Sequence, residues 1–131
     1  MKLFIRCIPV IALFCLLCGC DYMKSDEPPP YPKATHNPQE DYNTAVKLYN
    51  EGMALFAKAK IAPKGEKWDL VESAMIKFRN SAYLMGHYTH NAPPPLKMKD
   101  VQYYYGQADA FYIKMKDYLR PGGTLPTPDS K

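Results

Sequence analysis

Apolar residues recur at three- and four-residue steps in three stretches of this chain, and prolines separate the stretches. The first stretch carries Tyr42, Ala45, Leu48, Tyr49, Gly52, Phe56 and Ala59. The second carries Trp68, Val71, Met75, Phe78, Ala82 and Met85, with Lys67, Glu72, Lys77 and Arg79 mainly on its outer side. The third is the most continuous: Val101, Tyr104, Tyr105, Ala108, Phe111, Tyr112, Met115, Tyr118 and Leu119. Residues three and four apart share one face of an α-helix, so each stretch predicts an amphipathic helix. No segment alternates with period two for long enough to predict a strand. Proline breaks helix interiors. Pro38, Pro63, Pro93, Pro94, Pro95 and Pro121 therefore leave uninterrupted windows at 39–62, 64–92 and 96–120.

Local signals agree with those windows. In Asn37-Pro38-Gln39-Glu40 the Asn is a cap, the Pro suits the first helical position, and the Glu three residues on predicts a capping box. Ala62-Pro63-Lys64-Gly65-Glu66 reads as a turn. Arg120-Pro121-Gly122-Gly123 reads as a stop, a cation followed by two breakers. A lone amphipathic helix is not stable in water, so the three stripes must share a core. Residues 38–120 predict one small all-α domain of three helices, with short links making neighbours antiparallel. The third stripe is expected to be core throughout, Tyr105 and Phe111 included.

Two architectures fit. One is a plain antiparallel bundle. The other rests on Leu48-x-x-Glu51-Gly52-x-x-Leu55, Ala74-x-x-x-Phe78-x-x-Ser81 and Tyr105-Gly106, which resemble the small-residue and aromatic contact positions of a tetratricopeptide-type helical hairpin followed by one further helix. Gly52 and Ala74 stand farther apart than in that family, and there are at most one and a half units, whereas solenoids usually need three. The resemblance implies protein–protein binding by a helical face.

Ahead of the helices, Met1-Lys2-Leu3-Phe4-Ile5-Arg6 is cationic and Cys7 to Gly19 is apolar, as in an export signal. The apolar run is short of the ~20 residues a spanning helix needs. Leu17-Cys18-Gly19-Cys20 resembles the lipobox of bacterial lipoproteins. That resemblance implies a signal peptide at 1–19 and a mature N-terminus at Cys20 carrying lipid, including palmitate. It places the protein on the periplasmic face of a membrane. Asp21 resembles the signal that retains such proteins at the inner membrane of enteric-type Gram-negative hosts. Residues 20–37 then read as a tether, semi-stiff at Pro28-Pro29-Pro30-Tyr31-Pro32. The rival reading of that run is a Pro-rich motif that docks on an aromatic groove. Residues 121–131 read as a loose tail.

Composition narrows the chemistry. The chain has 17 Lys and Arg against 13 Asp and Glu, and Lys2 and Arg6 lie in the leader. The near-neutral remainder argues against nucleic-acid binding, which needs a concentrated basic face. All four Cys, at 7, 15, 18 and 20, lie in the leader or at its cut. That leaves the domain no disulfide, no Cys nucleophile and no Cys-based zinc site. His87-x-x-His90 lacks a third ligand nearby and reads as a polar pair at a helix C-terminus, so no metal or cofactor is expected. Glu40, Asp41, Glu66, Asp69, Glu72 and Asp109 fall where caps and solvated faces belong. Without an inward-facing carboxylate pair there is no basis for acid–base catalysis, and the chain is not expected to be an enzyme. Eleven tyrosines are the unusual feature. Tyrosine and tryptophan are enriched at binding hot spots, which makes Tyr103, Tyr88 and Trp68 the candidate partner-binding residues. Two functions fit: a membrane-anchored interaction or assembly module for an envelope protein, or a ligand- or cell-wall-binding lipoprotein using a Tyr/Trp surface. A pocket enclosed by Trp68, Tyr104 and Tyr112 favours the second, and an open or grooved Tyr surface the first.

Overall fold

The computed structural model describes residues 28–125. The proposed signal peptide, Cys20, Asp21 and the end of the tail lie outside the described residues. The chain divides into two units with the boundary between Pro30 and Tyr31, and the second, as far as it is described, is a small all-α domain. Its helices are α1 (Pro38–Ile61), α2 (Lys64–Gly86) and α3 (Met98–Tyr118), with no strand among the described residues. Among those residues no helix is long and apolar enough to cross a membrane.

The helices run up, down and up. Ala45 near the start of α1 packs with Leu84 and Met85 at the end of α2 and with Val101 at the start of α3. At the opposite end, Phe56 and Ala59 of α1 meet Val71, Ala74 and Phe78 of α2 and Met115 of α3. Small residues at a seven-residue spacing, Ala45, Gly52 and Ala59, are all buried on α1. They let the α2 backbone come close: the hydroxyl of Ser81 donates to the carbonyl of Ala45 at 2.7 Å. A Cβ placed on Gly52 would stand 2.9 Å from Cε1 of Phe78.

Between α1 and α3 the filling is aromatic. Tyr49 meets Tyr104 edge-on with centroids 5.6 Å apart, Tyr42 meets Tyr104 at 6.0 Å, and Phe56 meets Phe111 at 5.7 Å. Phe111 also stacks on Phe78 at 5.1 Å. These contacts account for three of the eleven tyrosines, Tyr42, Tyr49 and Tyr104. α3 ends in a turn in which Gly122 has φ +79°. A Cβ on Gly123 would run into the carbonyls of Asp117 and Tyr118.

The structure corrects several expectations. In the third stripe Val101, Ala108 and Met115 are buried, Tyr104, Phe111, Tyr112, Tyr118 and Leu119 are only half-buried, and Tyr105 is 37% exposed. It lies at the edge of the stripe, against α2 rather than inside the core. Trp68, assigned to the second stripe, is 49% exposed, because it lies beyond the last core rung, near the α1–α2 turn. Arg79, expected on the outer side, is buried. Its guanidinium donates through Nε and Nη2 to Oδ1 of Asn80 at 3.1 and 3.0 Å, and faces the ring of Tyr31. The N-cap forms only in part as expected. Asn37 Oδ1 accepts from the amides of Gln39 and Glu40, while the amide of Asn37 bonds the hydroxyl of Thr35 at 3.3 Å. Thr35 thus takes the place expected for the Glu40 carboxylate. Asp41, expected on a cap or a solvated face, is only 2% exposed.

Candidate functional site

A cleft of about 410 Å³ opens between the second half of α2 and the middle of α3. α2 contributes Arg79, Ala82, Tyr83 and Gly86, its C-cap contributes His87, and α3 contributes Tyr105, Asp109 and Tyr112. These positions follow from helix periodicity. Tyr83 and the C-cap His87 are four apart at the end of α2, Tyr105 and Asp109 four apart on α3, and such pairs share a face. The small residues Ala82 and Gly86 keep the α2 wall low. The ring of Tyr105 passes Gly86, 3.6 Å from where a Cβ would be.

Tyr31 lines the cleft over Arg79 and Tyr83, with Gly86 and His87 farther along the same wall. Its ring stacks on Tyr83 with centroids 4.5 Å apart and 25° between planes. The guanidinium carbon of Arg79 lies 4.5 Å from the Tyr31 centroid. His87 meets Tyr83 edge-on at 5.0 Å. The surface therefore alternates aromatic faces with a few polar groups, the composition of a recognition groove.

A hydrogen-bonded clasp ties the segment that follows Tyr31 to the helices. Asp41 Oδ1 accepts from the amide of Thr35 at 2.7 Å and from its hydroxyl at 2.9 Å. Asp41 Oδ2 accepts from the hydroxyl of Tyr88. One carboxylate thus joins the segment before α1, the first turn of α1 and the loop after α2. Burial alone would raise the Asp41 carboxyl. The bonds from Tyr88 and Thr35, with His87 nearby, outweigh it and hold the carboxyl below its ordinary 3.8. Burial and the Asp41 carboxylate together push the Tyr88 hydroxyl up to about 12.

The three residues singled out in the sequence do not form one site. Trp68 lies about 27 Å along the α2 axis from Gly86, the last helical residue before Tyr88, taking ~1.5 Å per residue. Tyr88 is half-buried, with its hydroxyl committed to Asp41. Tyr103 is 59% exposed, with its ring edge-on to Tyr104 at 5.4 Å, outside the cleft. Nor do Trp68, Tyr104 and Tyr112 enclose a pocket, since only Tyr112 lines the cleft. His87 lines the cleft and His90 is exposed. Among the described residues no three His, Cys, Asp or Glu are grouped to hold a metal ion. Sequence reasoning missed Tyr31, Tyr83 and Tyr105 as a group. The available signal was a second α2 stripe, Arg79, Ala82, Tyr83 and Gly86, beside the core stripe.

A second recess, of about 360 Å³, lies between α1 and α2. It holds the Lys77–Glu51 ion pair at 2.8 Å, and the Lys77 bond keeps the Glu51 carboxyl below its ordinary value. Both side chains are more than a third exposed, so the pair adds little stability. Comparison of the chain with protein-family models, with curated proteins and with solved structures finds no match.

Proposed function

We propose that the chain is a lipoprotein of the cell envelope, anchored through acylated Cys20, whose helical domain is a protein–protein interaction module that binds through the α2–α3 groove. The observation that carries this reading is the groove itself: an open cleft on two rigid helices, walled by Tyr31, Tyr83, Tyr105 and Tyr112. Tyrosine offers a large amphipathic contact area at a small entropic cost, which is why it concentrates at binding hot spots. The close approach of α1 and α2 at Gly52 also supports the resemblance to a tetratricopeptide-type hairpin. The rival reading, a stacking pocket for a ligand or for cell wall, draws less support. Trp68 stands at the far end of α2, and Tyr104 is engaged with Tyr42 and Tyr49. Asp21 favours retention at the inner membrane in an enteric-type host.

Copurification tests the reading. The anchored protein is extracted from membranes in mild detergent, and its associated proteins are identified for wild type and for Tyr105→Ala. A binding partner lost in Tyr105→Ala but kept in Trp68→Ala is the expected result. A partner kept in Tyr105→Ala removes the groove from the proposal. Cys20→Ser should release the protein from the membrane fraction, and a variant that still sediments there contradicts the anchor.

A further inference from the structure

We infer that the α2–α3 groove takes an extended peptide in which an aromatic residue is flanked by proline, and that Tyr31 holds the seat for that residue until such a peptide displaces it. The inference rests on the groove being the interaction face, and it names the ligand. Residues 31–35 have no regular secondary structure, and in the sequence Tyr31 lies between Pro30 and Pro32. Its ring is nonetheless seated, stacked on Tyr83 and facing the Arg79 guanidinium at 4.5 Å in each case. The groove thus already accommodates a tyrosine from a proline-flanked strand, supplied by the chain itself. Proline keeps such a strand extended before binding, so little entropy is lost when it docks.

Tyr31 is a weak occupant, with 54% of its surface still exposed. One aromatic stack and one cation–π contact, made by a ring that is itself half exposed, favour the seated form by roughly 5- to 30-fold. An incoming peptide binds more weakly by that same factor, because it must first vacate the seat. The cleft lining also includes Tyr105 and Tyr112, aromatic faces that a partner can use in addition to the Tyr31 seat. A partner with more than one aromatic anchor therefore outcompetes the tether, even though the tether is covalently held nearby.

The test uses the full-length lipidated chain in detergent micelles and the unlabelled peptide Pro-Pro-Pro-Tyr-Pro-Lys, the sequence of residues 28–33. Binding is read from amide chemical shifts of the isotopically labelled protein. Tyr31→Ala should bind the peptide roughly 5- to 30-fold more tightly than wild type, with the shifts centred on Tyr83 and Tyr105. Adding Tyr83→Ala should abolish the binding, and so should alanine in place of the peptide's tyrosine. Equal affinity for wild type and Tyr31→Ala overturns the inference. So does binding that survives Tyr83→Ala, or no binding at millimolar peptide. Wild-type chain that sediments as a dimer, with the dimer lost in Tyr31→Ala, makes a second copy the occupant and also overturns it. If the peptide fails to bind while Tyr105→Ala still loses a membrane-derived partner, the interaction module stands and only the ligand assignment falls.

Discussion

Replacing Gly52 with alanine adds one methyl group where the ring of Phe78 already sits. The new Cβ would be 2.9 Å from Cε1, 3.0 Å from Cδ1 and 3.0 Å from Cζ. The ring cannot swing clear, because Phe78 is fully buried and stacked on Phe111. Two effects oppose each other. Alanine in a helix interior is favoured over glycine by about 1 kcal/mol, while overpacking a filled core costs about 1–3 kcal/mol. The net result should be destabilisation of about 0–2 kcal/mol. Gly106 in α3 is the internal control, since it is exposed and a methyl added there would meet nothing within 4 Å. Gly106→Ala should therefore stabilise by about 1 kcal/mol. For a domain of this size each kcal/mol moves Tm by roughly 4–8 °C. Thermal melts followed by circular dichroism should then show Gly106→Ala above wild type and Gly52→Ala at or below it. If both variants rise equally, α1 and α2 do not approach as closely as the Gly52–Phe78 contact requires.

Three further outcomes follow from the packing and the clasp. Phe78→Ala should cost about 3–5 kcal/mol, a large share of the ~5–15 kcal/mol typical of a domain, whereas Tyr105→Ala should move the melt little; denaturant titration separates the two. Ser81→Ala removes the bond to the Ala45 carbonyl and should cost about 0.5–1.5 kcal/mol by the same titration. The Asp41–Tyr88 clasp contributes to both pH limits. The lowered Asp41 carboxyl adds stability that is present above its unfolded value of about 4 and is lost as pH falls through its folded value. The raised Tyr88 hydroxyl adds stability that is present below about 10 and is lost as pH rises toward 12. Melts between pH 2 and pH 11 should show a plateau with both flanks. Tyr88→Phe should lower the plateau and shrink the alkaline flank without removing it, because Tyr42 and Tyr49 are also pushed up by burial. An unchanged alkaline flank would show that the hydroxyl is not bound to Asp41.

The helices were legible because proline placement and apolar periodicity act locally. Pro63 and the Gly122-Gly123 pair stop helices whatever the tertiary context. Ala45, Gly52 and Ala59 were legible as members of the first stripe, but not as the seven-residue run on which α1 and α2 meet. Periodicity does not show where a stripe ends. Trp68 and Tyr105 share the spacing of buried neighbours, yet one lies past the last core rung and the other on the rim. The clasp was hidden for a different reason. Asp41 bonds Thr35 six residues before it and Tyr88 forty-seven residues after it, and a first-turn acidic residue looks like ordinary helix-end electrostatics. Tyr31 was read with the tether because its partners, Arg79 and Tyr83, lie on another helix. A docking motif and a spacer have the same composition until the fold brings the seat to them.

The groove as the binding face is tested most directly by photocrosslinking in the intact envelope. A benzophenone amino acid replaces Tyr105 in the groove, Ala57 on the exposed face of α1, or Trp68 at the far end of α2, in the full-length chain with Cys20 retained. The proposed function predicts a discrete crosslinked protein adduct from position 105 that is absent at 57 and 68 and is lost when Tyr83→Ala is added. An adduct of equal yield at 57 or 68, or none at 105, would contradict it.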